Sequence, residues 1–108
     1  MSPTIINQAG PLPISTKVQW PSSNTVLVAV SGSAWAKAPS TPLAVRVTLN
    51  ATVIGELQMY ANQPSTHLTF PTGFFAVDKQ QGEVTVTLNP SNDTITDAND
   101  HFRVTLIY

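Results

Sequence analysis

Asp93, Asp97 and Asp100 are half of the six acidic residues in the chain, and they fall in one eight-residue stretch, Asp93-Thr-Ile-Thr-Asp-Ala-Asn-Asp100. The amide oxygens of Asn92 and Asn99 and the hydroxyls of Thr94 and Thr96 surround them. These are the oxygen ligands that a hard divalent cation takes, so one reading is a calcium loop with Asp93, Asp97, Asn99 and Asp100 as ligands. The spacing is not that of the twelve-residue helix-loop-helix site, whose central Gly and terminal Glu are missing. The same residue types support a second chemistry. Asn and Asp side chains close turns on their own backbone, and Asn99-Asp100 directly before a strand-like run would clasp a loop. The clasp is the preferred reading, and calcium is its sharp alternative.

Catalysis can be weighed by inventory. The chain has two histidines, His67 and His101, and its serines lie in turn-like clusters without nucleophile-elbow spacing. His101 follows Asp100 directly, but neighbours on a strand point to opposite faces, so the two cannot act as a dyad. His67, at the start of a short run Ser65-Thr-His-Leu68, reads as a half-exposed structural histidine with no acidic partner. No phosphate loop, dinucleotide glycine pattern or zinc spacing is present. An enzyme is not expected.

The elements that must carry these residues are strands. Period-two alternation rich in Val, Thr, Leu and Ile predicts about eight, at 16–20, 25–31, 43–49, 53–60, 67–70, 73–77, 83–88 and 102–107. Between them lie clusters of Pro, Gly, Asn, Asp and Ser that read as turns, among them Pro21-Ser-Ser-Asn24, Ala38-Pro-Ser-Thr-Pro42 and Asn89-Pro-Ser-Asn92. The nine prolines are expected in such connections or in the irregular N-terminal part, because proline cannot donate to a ladder. Eight short strands need two packed sheets, since a single sheet would leave its apolar face wet. The expected fold is therefore all-β, a two-sheet antiparallel sandwich of jelly-roll type, with an immunoglobulin-like sandwich as the alternative. Residues 1–15, with three prolines and the apolar pair Ile5 and Ile6, are expected to be an arm that pairs as an edge strand or reaches a neighbouring subunit, and residues 16–108 to form one domain. The runs Val45-Arg-Val-Thr-Leu-Asn50 and Val84-Thr-Val-Thr-Leu-Asn89 echo each other, which two strands drawing on the same residue types produce without duplication.

Composition limits the partners. A chain of 108 residues with 42% hydrophobic content can bury a core without staples, and it has no cysteine for a disulfide or a thiolate metal site. Only 10% of residues are charged and the formal net charge is -1, so little electrostatic repulsion opposes self-association, although a surface of Thr, Ser, Asn and Gln reads the same way. Five scattered cations, Lys17, Lys37, Arg46, Lys79 and Arg103, make no stripe for phosphates, so nucleic acid is not an expected partner. No run is long enough to enter a bilayer as a spanning helix, and Met1-Ser-Pro-Thr does not open a secretory signal. The expectation is a soluble protein made without a signal peptide, reaching a virion or the cell exterior only after release. The acceptors Asn50-Ala-Thr52 and Asn92-Asp-Thr94 are then not expected to be glycosylated.

The segment Ile95-Thr-Asp-Ala-Asn-Asp-His-Phe-Arg-Val-Thr-Leu-Ile107, with Gly55-Glu-Leu-Gln-Met-Tyr-Ala-Asn62 and Gly82-Glu-Val-Thr-Val-Thr-Leu88, resembles small bacterial and phage-borne jelly-roll modules. The resemblance implies an Asn-Asp-x-Phe clasp that opens the final strand. There is also a distant resemblance to the soluble bacterial galactophilic lectins, which implies a calcium-binding C-terminal loop that holds sugar hydroxyls, with Asp93, Asp97 and Asn99 near it. Two functions follow as expectations. The first is a non-catalytic structural or interaction module that forms a homo-oligomer or docks on a larger particle, such as a virion or bacteriophage component. The alternative is a calcium-dependent carbohydrate-binding lectin, with Trp35 or Tyr60 stacking on a glycan.

Overall fold

In the computed structural model, which describes residues 1–108, ten strands follow one another and no helix is present: β1 (Thr4–Ala9), β2 (Ile14–Gln19), β3 (Thr25–Ser31), β4 (Ser33–Ala34), β5 (Thr41–Leu49), β6 (Thr52–Ala61), β7 (Leu68–Thr69), β8 (Gly73–Asp78), β9 (Glu83–Asn92) and β10 (His101–Ile107). Two four-stranded antiparallel sheets have the orders β1-β10-β3-β8 and β2-β9-β5-β6, and β4 with β7 makes a third, two-stranded piece. The pairing is nested. The first long strand pairs with the last (β1 with β10), the second with the penultimate (β2 with β9), then β3 with β8, and finally β5 with β6 at the centre. A long hairpin rolled up in this way is a jelly roll.

The alternation seen in the sequence sets the two faces. On β3 and β10, Val26, Val28, Val30, Phe102, Val104 and Leu106 point inward and are almost completely buried. From the other sheet, Val45, Val47, Val84, Val86 and Leu88 meet them in one core cluster of 23 residues. Each such side chain contributes about 1.5–3 kcal/mol by leaving water. The echoing runs of β5 and β9 are neighbours in one sheet, with Val47 opposite Leu88 and Leu49 opposite Val86.

Two sequence expectations change. The eight expected strands are present, β3 with the expected bounds and the others extended or trimmed by one to four residues, and β1 and β4 are additional. Residues 4–9 form an edge strand on β10 of the same chain, one of the two expectations for residues 1–15, and Ile14 and Ser15 open β2. Pro42 and Pro90 sit inside strands, not in turns. They are tolerated because each lies where the ladder has a free side: Pro90 lies beyond Leu88, the last residue of β9 paired with β2, and Pro42 lies beyond Leu43, the last of β5 paired with β9. No helix of the chain is long and apolar enough to cross a membrane.

Chain direction gives the sandwich two unlike ends. Connections 10–13, 32–40, 62–72 and 93–100 all lie at one end, while 20–24, 50–51, 79–82 and both termini lie at the other. The first end holds Asp93, Asp97, Asp100, His67, Ser33 and Trp35 together.

Candidate functional site

The segment 93–100 leaves the end of β9 and returns into β10, and it is pinned along its length by neighbours from every other connection at that end. The Thr94 hydroxyl accepts from the buried Ala44 N–H (2.8 Å), and Ile95 forms an isolated antiparallel bridge with Trp35 through two bonds of 2.9 Å. The Thr96 hydroxyl accepts from Leu12 N–H (2.8 Å), and the Asp100 carbonyl accepts from Gly10 N–H (2.6 Å). Backbone groups of the 10–13 and 32–40 connections and of β5 are thereby satisfied by one loop, as buried polar groups require.

Asp100 is the centre of the arrangement, with 0% of its surface exposed. Its Oδ1 accepts from Ser33 Oγ (2.7 Å) and from His67 Nδ1 (2.7 Å), and its Oδ2 accepts from Asp97 N–H (2.9 Å). A carboxylate can only accept, so His67 carries a proton on Nδ1. Asp97 stands beside it. One of its oxygens accepts from Asn99 N–H (2.8 Å), and the other accepts from Trp35 Nε1 (3.2 Å) and lies 3.7 Å from His67 Nε2. The hydrogen bond to Asp100 raises the His67 pKa above its ordinary 6.5; loss of water works against this, and the negative charges of Asp100 and Asp97 add to the rise. The Trp35 ring tilts over His67 at 5.9 Å between centroids.

His67 is the correction to the sequence reading, which gave it no partner. It lies 33 residues from Asp100, and nothing local in Ser65-Thr-His-Leu68 announces the contact. Only the nested strand order, which puts connections 62–72 and 93–100 at the same end, brings the two together. Ser33 was missed for the same reason. His101 lies apart from Asp100 as the strand geometry requires, with its Nε2 paired to Asn7 Oδ1.

Of the proposed cation ligands, Asp97 and Asp100 meet, with His67 as third member; one donor atom from each lies within 4.8 Å of the others. Asp93 is exposed and lines a different depression with Lys37 and Asn92, and the exposed Asn99 meets Asp97 through its backbone. The carboxylate oxygens are already met by five donors: Ser33 Oγ, His67 Nδ1, the backbone N–H groups of Asp97 and Asn99, and Trp35 Nε1. Donor hydrogens aimed at both carboxylates favour negative charge and oppose a cation in the same place, so the arrangement acts as a clasp. Of the proposed stacking aromatics, Trp35 is half-buried and bonded into this clasp, whereas Tyr60 stands on β6, 56% exposed.

Fold and site together define a class: an all-β jelly-roll domain whose loops at one end are fastened by a buried Asp paired with an exposed His. Neither a family model nor a curated protein matches the chain.

Proposed function

We propose that the chain is a non-catalytic structural module that associates with copies of itself, and that it does so through the outer face of the β1-β10-β3-β8 sheet. The observation that supports this is a pair of uncharged cross-strand rows on that face, Thr105-Ala29-Phe74 and Ile107-Leu27-Ala76. Phe74 is 61% exposed, and Leu27 and Ile107 are each more than a third exposed. Arg103, on the row nearer the clasp, and Asp78, on the row at the far end, flank the patch with opposite signs. Two copies related by a two-fold axis that reverses strand direction bring unlike charges to the same end, which suits a self-complementary contact.

The size of the face sets what it can do. Four strands about 4.8 Å apart and six residues long at about 3.4 Å each present on the order of 400 Å². A stable two-body interface takes about 800 Å² from each partner. This face alone gives an association that follows concentration, and it becomes lasting when several such contacts act together in a particle. The resemblance to phage-borne jelly-roll modules points the same way.

Sedimentation velocity from micromolar to millimolar protein tests the reading. The mass is expected to rise with concentration, and Phe74→Lys or Leu27→Lys is expected to hold the chain at monomer mass with its melting temperature little changed. A wild-type chain that stays monomeric throughout that range refutes self-association.

A further inference from the structure

The opposite outer face has a different character. β5 begins, and β6 and β9 end, at the clasp end of the β2-β9-β5-β6 sheet, and three shallow depressions of about 380, 420 and 300 Å³ lie side by side there. The first and second share Asn92, and the second and third share Tyr60. Asn92 and Tyr60 thus stand between neighbouring depressions, which together we take as one groove. From this geometry we infer that the groove binds a neutral oligosaccharide, in extended form and without a metal ion.

The floor and walls follow from the strand register. Ala44 lies between Ser91 of β9 and Gln58 of β6, and one step nearer the end Pro42 lies opposite Tyr60. Ala44 itself is covered, with 2% of its surface exposed, and Tyr60 rises beside it with more than half of its surface in water. A phenol ring on a rigid strand offers a face for the C–H side of a pyranose and a hydroxyl for its rim. Along the same groove stand the amides of Asn92, Gln58, Asn62 and Gln63. None of these four side chains is spent on an internal hydrogen bond. A planar amide presents two donors and an acceptor together, which is the pattern that neighbouring sugar hydroxyls match.

Charge and topology select among ligands. The groove holds one cation, Lys37, and one anion, Asp93, both in the first depression, so it favours neither phosphates nor acidic chains. The three depressions are shallow, and none is the deep pocket that anchors a peptide side chain. An uncharged, hydroxyl-rich chain fits what remains. Asn92 also has a left-handed backbone (φ 57°), which places its side chain at the junction and which Asn tolerates better than most residues. This inference is independent of self-association, which uses the other sheet.

Native gel electrophoresis of the full chain in gels containing soluble glucan, mannan, galactan or xylan tests it. At least one polymer is expected to retard the wild type, with the same retardation in the presence of a chelator. Tyr60→Ala and, separately, Gln58→Ala are expected to weaken the apparent affinity, Tyr60→Ala by about tenfold. Phe74→Ala, an exposed aromatic on the other face, is expected to bind as wild type does, and melting curves confirm that each variant is folded. Absence of retardation by all four polymers overturns the inference, as do retardation that the chelator abolishes and retardation that both groove variants retain in full.

Discussion

Asp100→Asn replaces one carboxylate oxygen by an NH₂ group at almost constant volume, and the clasp leaves it no good orientation. With the NH₂ in the Oδ2 position, it faces the Asp97 N–H that Oδ2 accepts at 2.9 Å, donor against donor. With the NH₂ in the Oδ1 position, Asp97 keeps its acceptor, Ser33 can rotate its hydroxyl to accept, and His67 must present an unprotonated Nδ1. Three bonds to a charged acceptor, about 1.5–3 kcal/mol each, become neutral bonds of about 1 kcal/mol or are lost. Asp100 itself is fully shielded from water, so solvent does not replace the bonds its side chain loses. The expected loss is about 2–4 kcal/mol, and at roughly 4–8 °C per kcal/mol for a domain near this size the melting temperature falls by about 8–32 °C. Far-UV circular dichroism follows the whole sandwich, and tryptophan fluorescence follows Trp35, whose Nε1 is bonded to Asp97. The second orientation demands neutral His67, so the deficit is expected to be larger well below the ordinary histidine pKa of 6.5 than well above it. A melting temperature within about 3 °C of wild type at both pH values would mean that the clasp contributes almost nothing and would refute this account.

The remaining expectations concern the same end. Because the folded-state pKa of His67 is raised, its bond to Asp100 stabilises fully below 6.5 and is lost as pH rises through the folded value. The stability difference between wild type and His67→Gln should therefore shrink over that rise, and a constant difference across it in denaturant titrations would count against the pairing. Millimolar calcium is expected to move the melting temperature by less than about 1 °C, since five donors already face the carboxylates; a chelator-reversible gain of several degrees would show that the loop re-forms around the ion. Gly32→Ala places a Cβ against the buried Phe102 ring and is expected to cost about 1–3 kcal/mol, measured by chemical denaturation. Thr94→Val keeps the shape but leaves the buried Ala44 N–H without its acceptor, which should cost about 1–3 kcal/mol and shift amide resonances at Ala44 and Asn92 but not at Phe74.

What the sequence disclosed depended on the range of the interaction that encodes it. Burial alternates with period two along β3, β5, β9 and β10, so those strands and their inward residues are legible from local pattern alone. β1 is not, because Thr4–Ala9 is an edge strand with one fully buried residue, Ile6, and little alternation to read. Pro42 and Pro90 misled because a missing amide excludes a residue only from the interior of a ladder, and which side of a strand is free depends on partners that lie far away in sequence. The site divides in the same way. Asp97 and Asp100 were visible as a local concentration of charge, whereas Ser33 and His67 are 67 and 33 residues from the carboxylate they meet.

The acidic stretch also bears on the groove, although none of its clasp residues lines it. Asn92 ends β9 at a groove junction, Asp93 borders the first depression, and the chain then enters the fastened segment at once. Thr94 bonds to the amide of Ala44, which lines the second depression, so the loop and that depression are joined by a buried bond of 2.8 Å. Two residues further on, the same segment is held by Leu12 of the 10–13 connection. A loop fixed at so many points loses its conformational freedom on folding and not on binding, which is the condition for a rigid wall. The pairing of buried Asp100 with His67 then has a physical role that requires neither metal nor catalysis: it holds in place the segment from which Asn92 and Asp93 face solvent.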